Sequence, residues 1–256
     1  MSLLTQESTR AAEAYAALHS VVDPELDEPI TDLGFVRSLT VSPTAPDGET
    51  VRVEVHLRLP TSFCSPNFAY LMASDAKDTL TALPWTDQVV VELDDHHDSD
   101  LINAGLAADA GYLGTFRHEA ESSLDELRTT FHRKAHTAAL ERCLTGLLRG
   151  QPDLAEDAVG EVRLGDLPDD DFTASLRRRR AVLGLPDLPE AYVLVDHTGE
   201  RPGDIPLALR RARSTRISID GNAHFCRGLL ATRYGEEVTS PAFVPLTDLH
   251  REGASS

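Results

Sequence analysis

Val22-Asp23-Pro24-Glu25 opens the stretch of sequence that decides the fold, and Leu59-Pro60-Thr61-Ser62-Phe63-Cys64-Ser65-Pro66 closes it. Pro24 fixes its own φ angle and disfavours a helical conformation at Asp23, so a helix that precedes it must end there. Between the two segments, Thr31-Asp32-Leu33-Gly34-Phe35-Val36 predicts a turn into a strand, because glycine tolerates positive φ. The stretch therefore predicts a turn with backbone-capping carboxylates, a first strand, and a second strand that leads to one cysteine.

The second strand is indicated by strict alternation between residues 51 and 59. Apolar side chains occupy the odd positions and polar side chains the even ones: Val51, Val53, Val55, Leu57 and Leu59 against Arg52, Glu54, His56 and Arg58. This alternation is typical of a strand with one buried face.

Cys64 lies just before a predicted helix start. Ser65 suits an N-cap and Pro66 suits the first helical position. The positive end of the helix dipole favours the thiolate, which is the form of cysteine that attacks electrophiles or binds metals. Cys64 is therefore the strongest candidate for a functional residue, and the alternative is a small buried hydrophobic residue.

The N-terminal part of the chain alternates helical and strand patterns. Predicted helices cover residues 4–20, 67–83 and 100–113, and predicted strands cover residues 35–41, 51–59 and 88–93. This order, helix–strand–strand–helix–strand–helix, predicts an α+β fold with a small three-stranded sheet that has helices on one face. We assign this domain to residues 1–115.

Residues 116–256 are predicted to form a second domain of a different type. A long helix is expected over residues 119–149 and shorter helices over 172–183 and 224–234, with strands at 192–196 and at 216–219 before an Asp220-Gly221 turn. The region is therefore expected to be mostly helical with a few short strands, and it resembles no family known to us.

The charge balance is acidic and uneven. The net charge is −18, and residues 1–116 hold 19 of the 42 acidic and only 5 of the 24 basic residues. An acidic surface disfavours nucleic acid and anionic membranes as partners. No apolar run approaches the roughly 20 residues that cross a bilayer, and the N-terminus lacks the pattern of a signal peptide. Three widely spaced cysteines do not form a disulfide framework, so we expect a reducing, cytoplasmic location.

Three motifs in this order resemble the iron–sulfur cluster assembly domain family of the PaaD and SufT type. They are Asp23-Pro24-Glu25, Leu33-Gly34-Phe35-Val36 and the single Cys64 near a proline, and the resemblance covers roughly residues 10–112. The resemblance implies that Cys64 takes part in the maturation of a cluster or metal centre, with an iron–sulfur cluster or iron as a transient cargo and zinc as an alternative. One cysteine cannot hold a cluster, which takes about four ligands, so other ligands, a homodimer or a transient carrier role must be invoked.

Further candidate metal ligands follow the third predicted strand. His96 and His97 stand in the acidic run Asp94-Asp95-His96-His97-Asp98. Imidazole and carboxylate together suit iron or zinc, whereas the alternative is a solvated acidic loop. In the resembling fold this loop is expected to lie near Cys64.

The C-terminal region contains five more candidates. His132, His136 and Cys143 fall on one stripe of the predicted long helix, and two histidines at this spacing can clamp a metal, although the stripe also suits the edge of a core face. His224 and Cys226 are two residues apart and could complete a site with Cys64 or Cys143. The alternative for Cys226 is a packed structural thiol.

These observations favour a cytoplasmic assembly or maturation factor over an enzyme. The N-terminal domain is expected to load a cluster or metal into a client metalloenzyme, with cluster-assembly proteins as further partners, and the C-terminal region to recognise the client or shield the site. Two alternatives remain at this point. One is an enzyme that uses Cys64 as a nucleophile or a bound metal, and the other is a metal-free adaptor between client and assembly machinery.

Overall fold

The computed structural model describes residues 3–44, 51–116, 124–151 and 153–235. Within these ranges the strands are β1 (Val22–Asp23), β2 (Glu28–Pro29), β3 (Val36–Pro43), β4 (Val51–Arg58) and β5 (Thr86–Asp94). The helices are α1 (Leu3–Leu18), α2 (Pro66–Thr81), α3 (Ser99–Ala107), α4 (Gly111–Phe116), α5 (Leu124–Gly150), α6 (Asp171–Val182) and α7 (Ile205–Tyr234). Two short 3-10 helices span Glu156–Glu161 and Leu164–Asp166.

The main sheet has the order β3-β4-β5, with β4 in the centre. β4 is antiparallel to β3, with Val55 opposite Leu39, and parallel to β5, with Val55 opposite Val91. A parallel pair needs a crossover connection, which α2 supplies between β4 and β5. The predicted α+β fold and its three-stranded sheet are therefore confirmed.

The alternation in β4 separates a core face from a polar face. Val53 and Val55 are fully buried under the helices, whereas Glu54 and His56 are half-buried on the other face. There His56 bridges Glu54 and Asp94, since its Nδ1 lies 2.9 Å from Asp94 Oδ1 and its Nε2 lies 3.3 Å from Glu54 Oε1. The polar face thus keeps its charges paired, and the helices α1 and α2 cover the apolar one.

The C-terminal region is mostly helical, as predicted, and has its own hydrophobic core. α5 packs against α6 and α7 around buried residues that include Leu144, Leu176 and Val193. The first part of α7 contributes Leu209 and Ala212 to this core.

The second part of α7 belongs to the N-terminal core. Ala223 and Leu230 are buried there together with the sheet residues. At about 1.5 Å per residue, the 30 residues of α7 extend about 45 Å and so reach both cores. The predicted domain boundary near residue 115 stays a prediction.

Two predicted strands of the C-terminal region are wrong. Residues 216–219, together with the expected Asp220-Gly221 turn, lie inside α7, where Ile219 is buried at helical spacing from Ala212 and Ala223. Arg216 also forms an i,i+4 ion pair with Asp220. In the segment 192–196, only Tyr192 pairs, in an isolated bridge with Arg163. At residues 216–219, burial along one helix face outweighed the local β-propensity.

Two predicted helices differ in their extents. The helix expected over residues 100–113 is divided into α3 and α4, because Asp109 and Gly111 both adopt positive φ. The long helix is present from Leu124, and the part expected at residues 119–123 lies outside the described residues.

Candidate functional site

Cys64 lies in the loop that leads from β4 into α2. Ser65 is the N-cap of α2 and Pro66 is its first residue, as predicted. The Ser65 carbonyl accepts the backbone N–H groups of Phe68 and Ala69, which closes the first turn. The Cys64 thiol is half-buried, and its sulfur lies 3.4 Å from the hydroxyl of Thr61. The loop therefore presents one partly accessible thiol at a helix start.

His96 attaches the loop after β5 to the Cys64 loop. Its ring is buried, the backbone N–H of Asp98 donates to Nδ1 at 3.1 Å, and Nε2 lies 2.8 Å from the carbonyl oxygen of Cys64. Because Nδ1 accepts, the ring proton is on Nε2, which donates to the carbonyl. Nε2 thus holds the Cys64 backbone, while the bond from Asp98 to Nδ1 fixes the ring within its own loop.

His97 lies at the same place but is exposed. Its backbone N–H donates to the Ser62 carbonyl at 2.9 Å, and its ring centroid lies 5.8 Å from that of Phe63, which is 82% exposed. The expectation that this loop lies near Cys64 is confirmed. The roles of His96 and His97 as metal ligands stay predictions.

The C-terminal end of α7 binds both loops, which the sequence did not indicate. The guanidinium of Arg233 donates to the Leu59 carbonyl at 3.2 Å, to the Ser62 hydroxyl at 2.8 Å and to the Asp95 carbonyl at 2.7 Å. Arginine with its planar array of donors suits such a position. Arg233 is 138 positions away from Asp95, so no local sequence pattern indicates this contact, which depends on tertiary folding alone.

Cys226 faces the same region from α7. It is half-buried and packs against the N-terminal core, as Cys64 does. The pKa of Cys226 is raised to about 11, mainly by burial and in smaller part by the charges of Asp23, Cys64 and Glu25.

Asp23 caps the turn that follows β1, as predicted. Its Oδ1 accepts the backbone N–H groups of Glu25 at 2.9 Å and Leu26 at 2.8 Å. Its carboxyl group is buried, and burial raises its pKa to about 6 although the two hydrogen bonds act in the opposite direction. The buried carboxyl group therefore holds this turn through two backbone hydrogen bonds.

The remaining candidates are not brought to Cys64. Cys143 is buried in the C-terminal core, where burial raises its pKa to about 11. His136 is fully buried, and burial together with the charge of Arg180 lowers its pKa to about 4. His132 is exposed one turn earlier on α5, and His224 is exposed on α7.

Metal-holding groups are absent from the part of the chain that the structure describes: no three His, Cys, Asp or Glu side chains are arranged to bind one ion. The ligand roles predicted for His132, His136, Cys143 and His224 are untested and stay predictions. Across the same described residues, no helix is long and apolar enough to span a membrane.

Residues 11–93 match the family model of the iron–sulfur cluster assembly proteins. The match includes the β-sheet, α2 and Cys64, and it covers less than half of the chain. The N-terminal part of the protein therefore matches an iron–sulfur cluster assembly domain, as the resemblance implied. No curated protein and no solved structure matches the chain.

Proposed function

We propose that the protein is a cytoplasmic maturation factor of the PaaD and SufT type, which delivers an iron–sulfur cluster or iron to a client metalloenzyme. Cys64 is the residue that binds the cargo. The observation that carries the proposal is the position of Cys64 within the matched domain. It is a partly accessible thiol at the start of α2, in a loop that His96 joins to the loop after β5.

Thiolates are the usual protein ligands of iron–sulfur clusters, and a cluster takes about four of them. A factor that offers few ligands holds its cargo incompletely, which favours onward transfer to a client with a full set. The remaining coordination positions are filled by the client, by an assembly protein or by a second copy of this chain. The acidic surface of the N-terminal domain suits a partner with a basic docking face.

The test is anaerobic reconstitution of the full-length protein with Fe²⁺ and sulfide, followed by measurement of bound iron and of the visible absorption of the cluster. We expect uptake by the unchanged protein and loss of uptake in Cys64→Ser. Cys143→Ala is the matched control, because that thiol is buried in the other core. Equal iron uptake by the Cys64→Ser variant would refute the assignment of Cys64 as the ligand. Absence of iron uptake by every form, including the unchanged protein, would refute the proposed function.

A further inference from the structure

We propose that Cys226 is the second thiol of the Cys64 site, so that one chain offers two cysteine ligands to one iron of the cargo. This inference rests on the proposed function and extends it. The family match ends at residue 93, so nothing in the matched domain accounts for a cysteine on α7.

The geometry of α7 directs Cys226 towards the N-terminal domain. Asn222, Cys226 and Leu230 are four residues apart and therefore share one helix face. The amide nitrogen of Asn222 lies 3.3 Å from Glu25 Oε1, and the side chain of Leu230 packs against Gly34. Cys226 lies midway between these contacts.

Ionic and polar contacts hold this face of α7 in place. Arg227, the next residue along the helix, pairs with Glu28 on β2. Two turns further on, Arg233 binds the Leu59 carbonyl and the Ser62 hydroxyl in the loop that carries Cys64. The same helix thus carries Cys226 and fixes the Cys64 loop, which sets the position of one thiol relative to the other.

The chemical environment suits a thiophilic cation. Cys226 and Cys64 both pack against the N-terminal core, and Asn222, one turn before Cys226, contacts Glu25, so α7 and this domain bring two thiols and a carboxylate to one interface. Soft thiolate ligands select zinc, copper(I) and iron–sulfur clusters over hard cations. In a [2Fe–2S] cluster with four cysteine ligands, two thiolates on one iron leave the other iron for a partner.

Loading and release balance without a redox step. Each thiol loses one proton to solvent as its sulfur binds iron, and each regains one when a client thiolate replaces it on the metal. No electron is transferred, and the iron and sulfide atoms move together as cargo.

The first test is titration of the full-length protein with Cd²⁺, which reports thiolate ligation by charge-transfer absorption. We expect Cys64→Ser and Cys226→Ser each to bind at least about tenfold more weakly, since even losing a group that only supports a ligand costs about 10–100-fold. Cys143→Ala should match the unchanged protein. Far-UV circular dichroism of Cys226→Ser and Cys226→Ala checks that the helices remain.

The second test needs no substitution at either thiol. In Cys143→Ala, dibromobimane should join Cys64 and Cys226 within one chain, as seen by its fluorescence and by peptide mapping. Absence of the cross-link, or wild-type Cd²⁺ affinity in Cys226→Ser, overturns the pairing. Cluster uptake that is lost in Cys64→Ser but complete in Cys226→Ser overturns this inference and leaves the proposed function standing.

Discussion

The ring of His96 donates a hydrogen bond to the backbone carbonyl of Cys64, with 2.8 Å between Nε2 and the oxygen. The contact joins two loops that are 32 residues apart in the chain and ends on the residue that carries the reactive group. His96, whose imidazole would also suit metal binding, therefore fixes the backbone of Cys64 in this structure.

His96→Phe is expected to loosen the Cys64 loop. The substitution removes the donor and leaves a part-buried carbonyl without its partner, which typically costs about 1–3 kcal/mol in the free energy of unfolding. Alkylation of Cys64 by iodoacetamide, followed by mass spectrometry, should become faster. His97→Ala is the control because the His97 ring is exposed, and equal alkylation rates in both variants would contradict the supporting role.

Arg233→Ala is expected to release the end of α7 from both loops. The substitution removes three hydrogen bonds from one charged group, and one bond to a charged group typically contributes about 1.5–3 kcal/mol net to stability. We expect faster alkylation of Cys226 and faster hydrogen exchange in residues 226–234. Arg210→Ala changes an exposed arginine of the same helix and should leave both rates unaltered. Unchanged exchange in Arg233→Ala would show that other contacts hold the helix.

His136 is expected to make the protein sensitive to acid. Both of its ring nitrogens are buried without a hydrogen-bond partner among the described residues. Its pKa falls from 6.5 to about 4 on folding, so the unfolded chain binds a proton that the folded one does not between these pH values. Stability is therefore lost as the pH falls from about 6.5 to about 4, by up to about 3 kcal/mol from this group.

His136→Leu should remove this contribution. Urea unfolding at pH 7 and at pH 4.5 should show a smaller loss of stability in the variant than in the unchanged protein. His97→Leu, at an exposed position after β5, should retain the full loss. The same pH dependence in His136→Leu as in the unchanged protein would exclude this residue as its source.

Asp23 changes stability with pH in the opposite direction to His136. Its pKa rises from 3.8 to about 6 on folding, so ionisation of the buried carboxyl group costs stability as the pH rises through this range. Asp23→Asn keeps an oxygen that can accept the bonds from Glu25 and Leu26. The variant should be more stable at pH 7 by up to about 3 kcal/mol, with no gain near pH 3.5.

Thermal or urea unfolding at the two pH values measures this difference. Asp32→Asn, at an exposed position in the next turn, should alter stability by less than about 0.5 kcal/mol. A loss of stability in Asp23→Asn at pH 7 would show that the charge itself holds the turn.

Local sequence signals predicted most of the helices and strands of the N-terminal domain and the position of the Cys64 thiol. The alternation from Val51 to Leu59 predicted β4, and Ser65 with Pro66 predicted the start of α2, because both features act within a few residues. The same local signals failed at residues 216–219. The β-branched residues and the Asp220-Gly221 pair favoured a strand and a turn, whereas burial of Ile219 and Ala223 in α7 decided for a helix.

The amino-acid sequence by itself determined the order of helices and strands along the N-terminal part, the place of Cys64 ahead of a helix, and the match of residues 11–93 to an assembly family. Only the tertiary structure decided that Cys226, rather than Cys143, shares surroundings with Cys64, and that Arg233 and His96 hold the Cys64 loop. The physical reason is range. Backbone preferences and hydrophobic alternation depend on neighbouring residues and can be read from a short segment. Packing and long-range hydrogen bonds join residues that are far apart in the chain, so no local pattern predicts them.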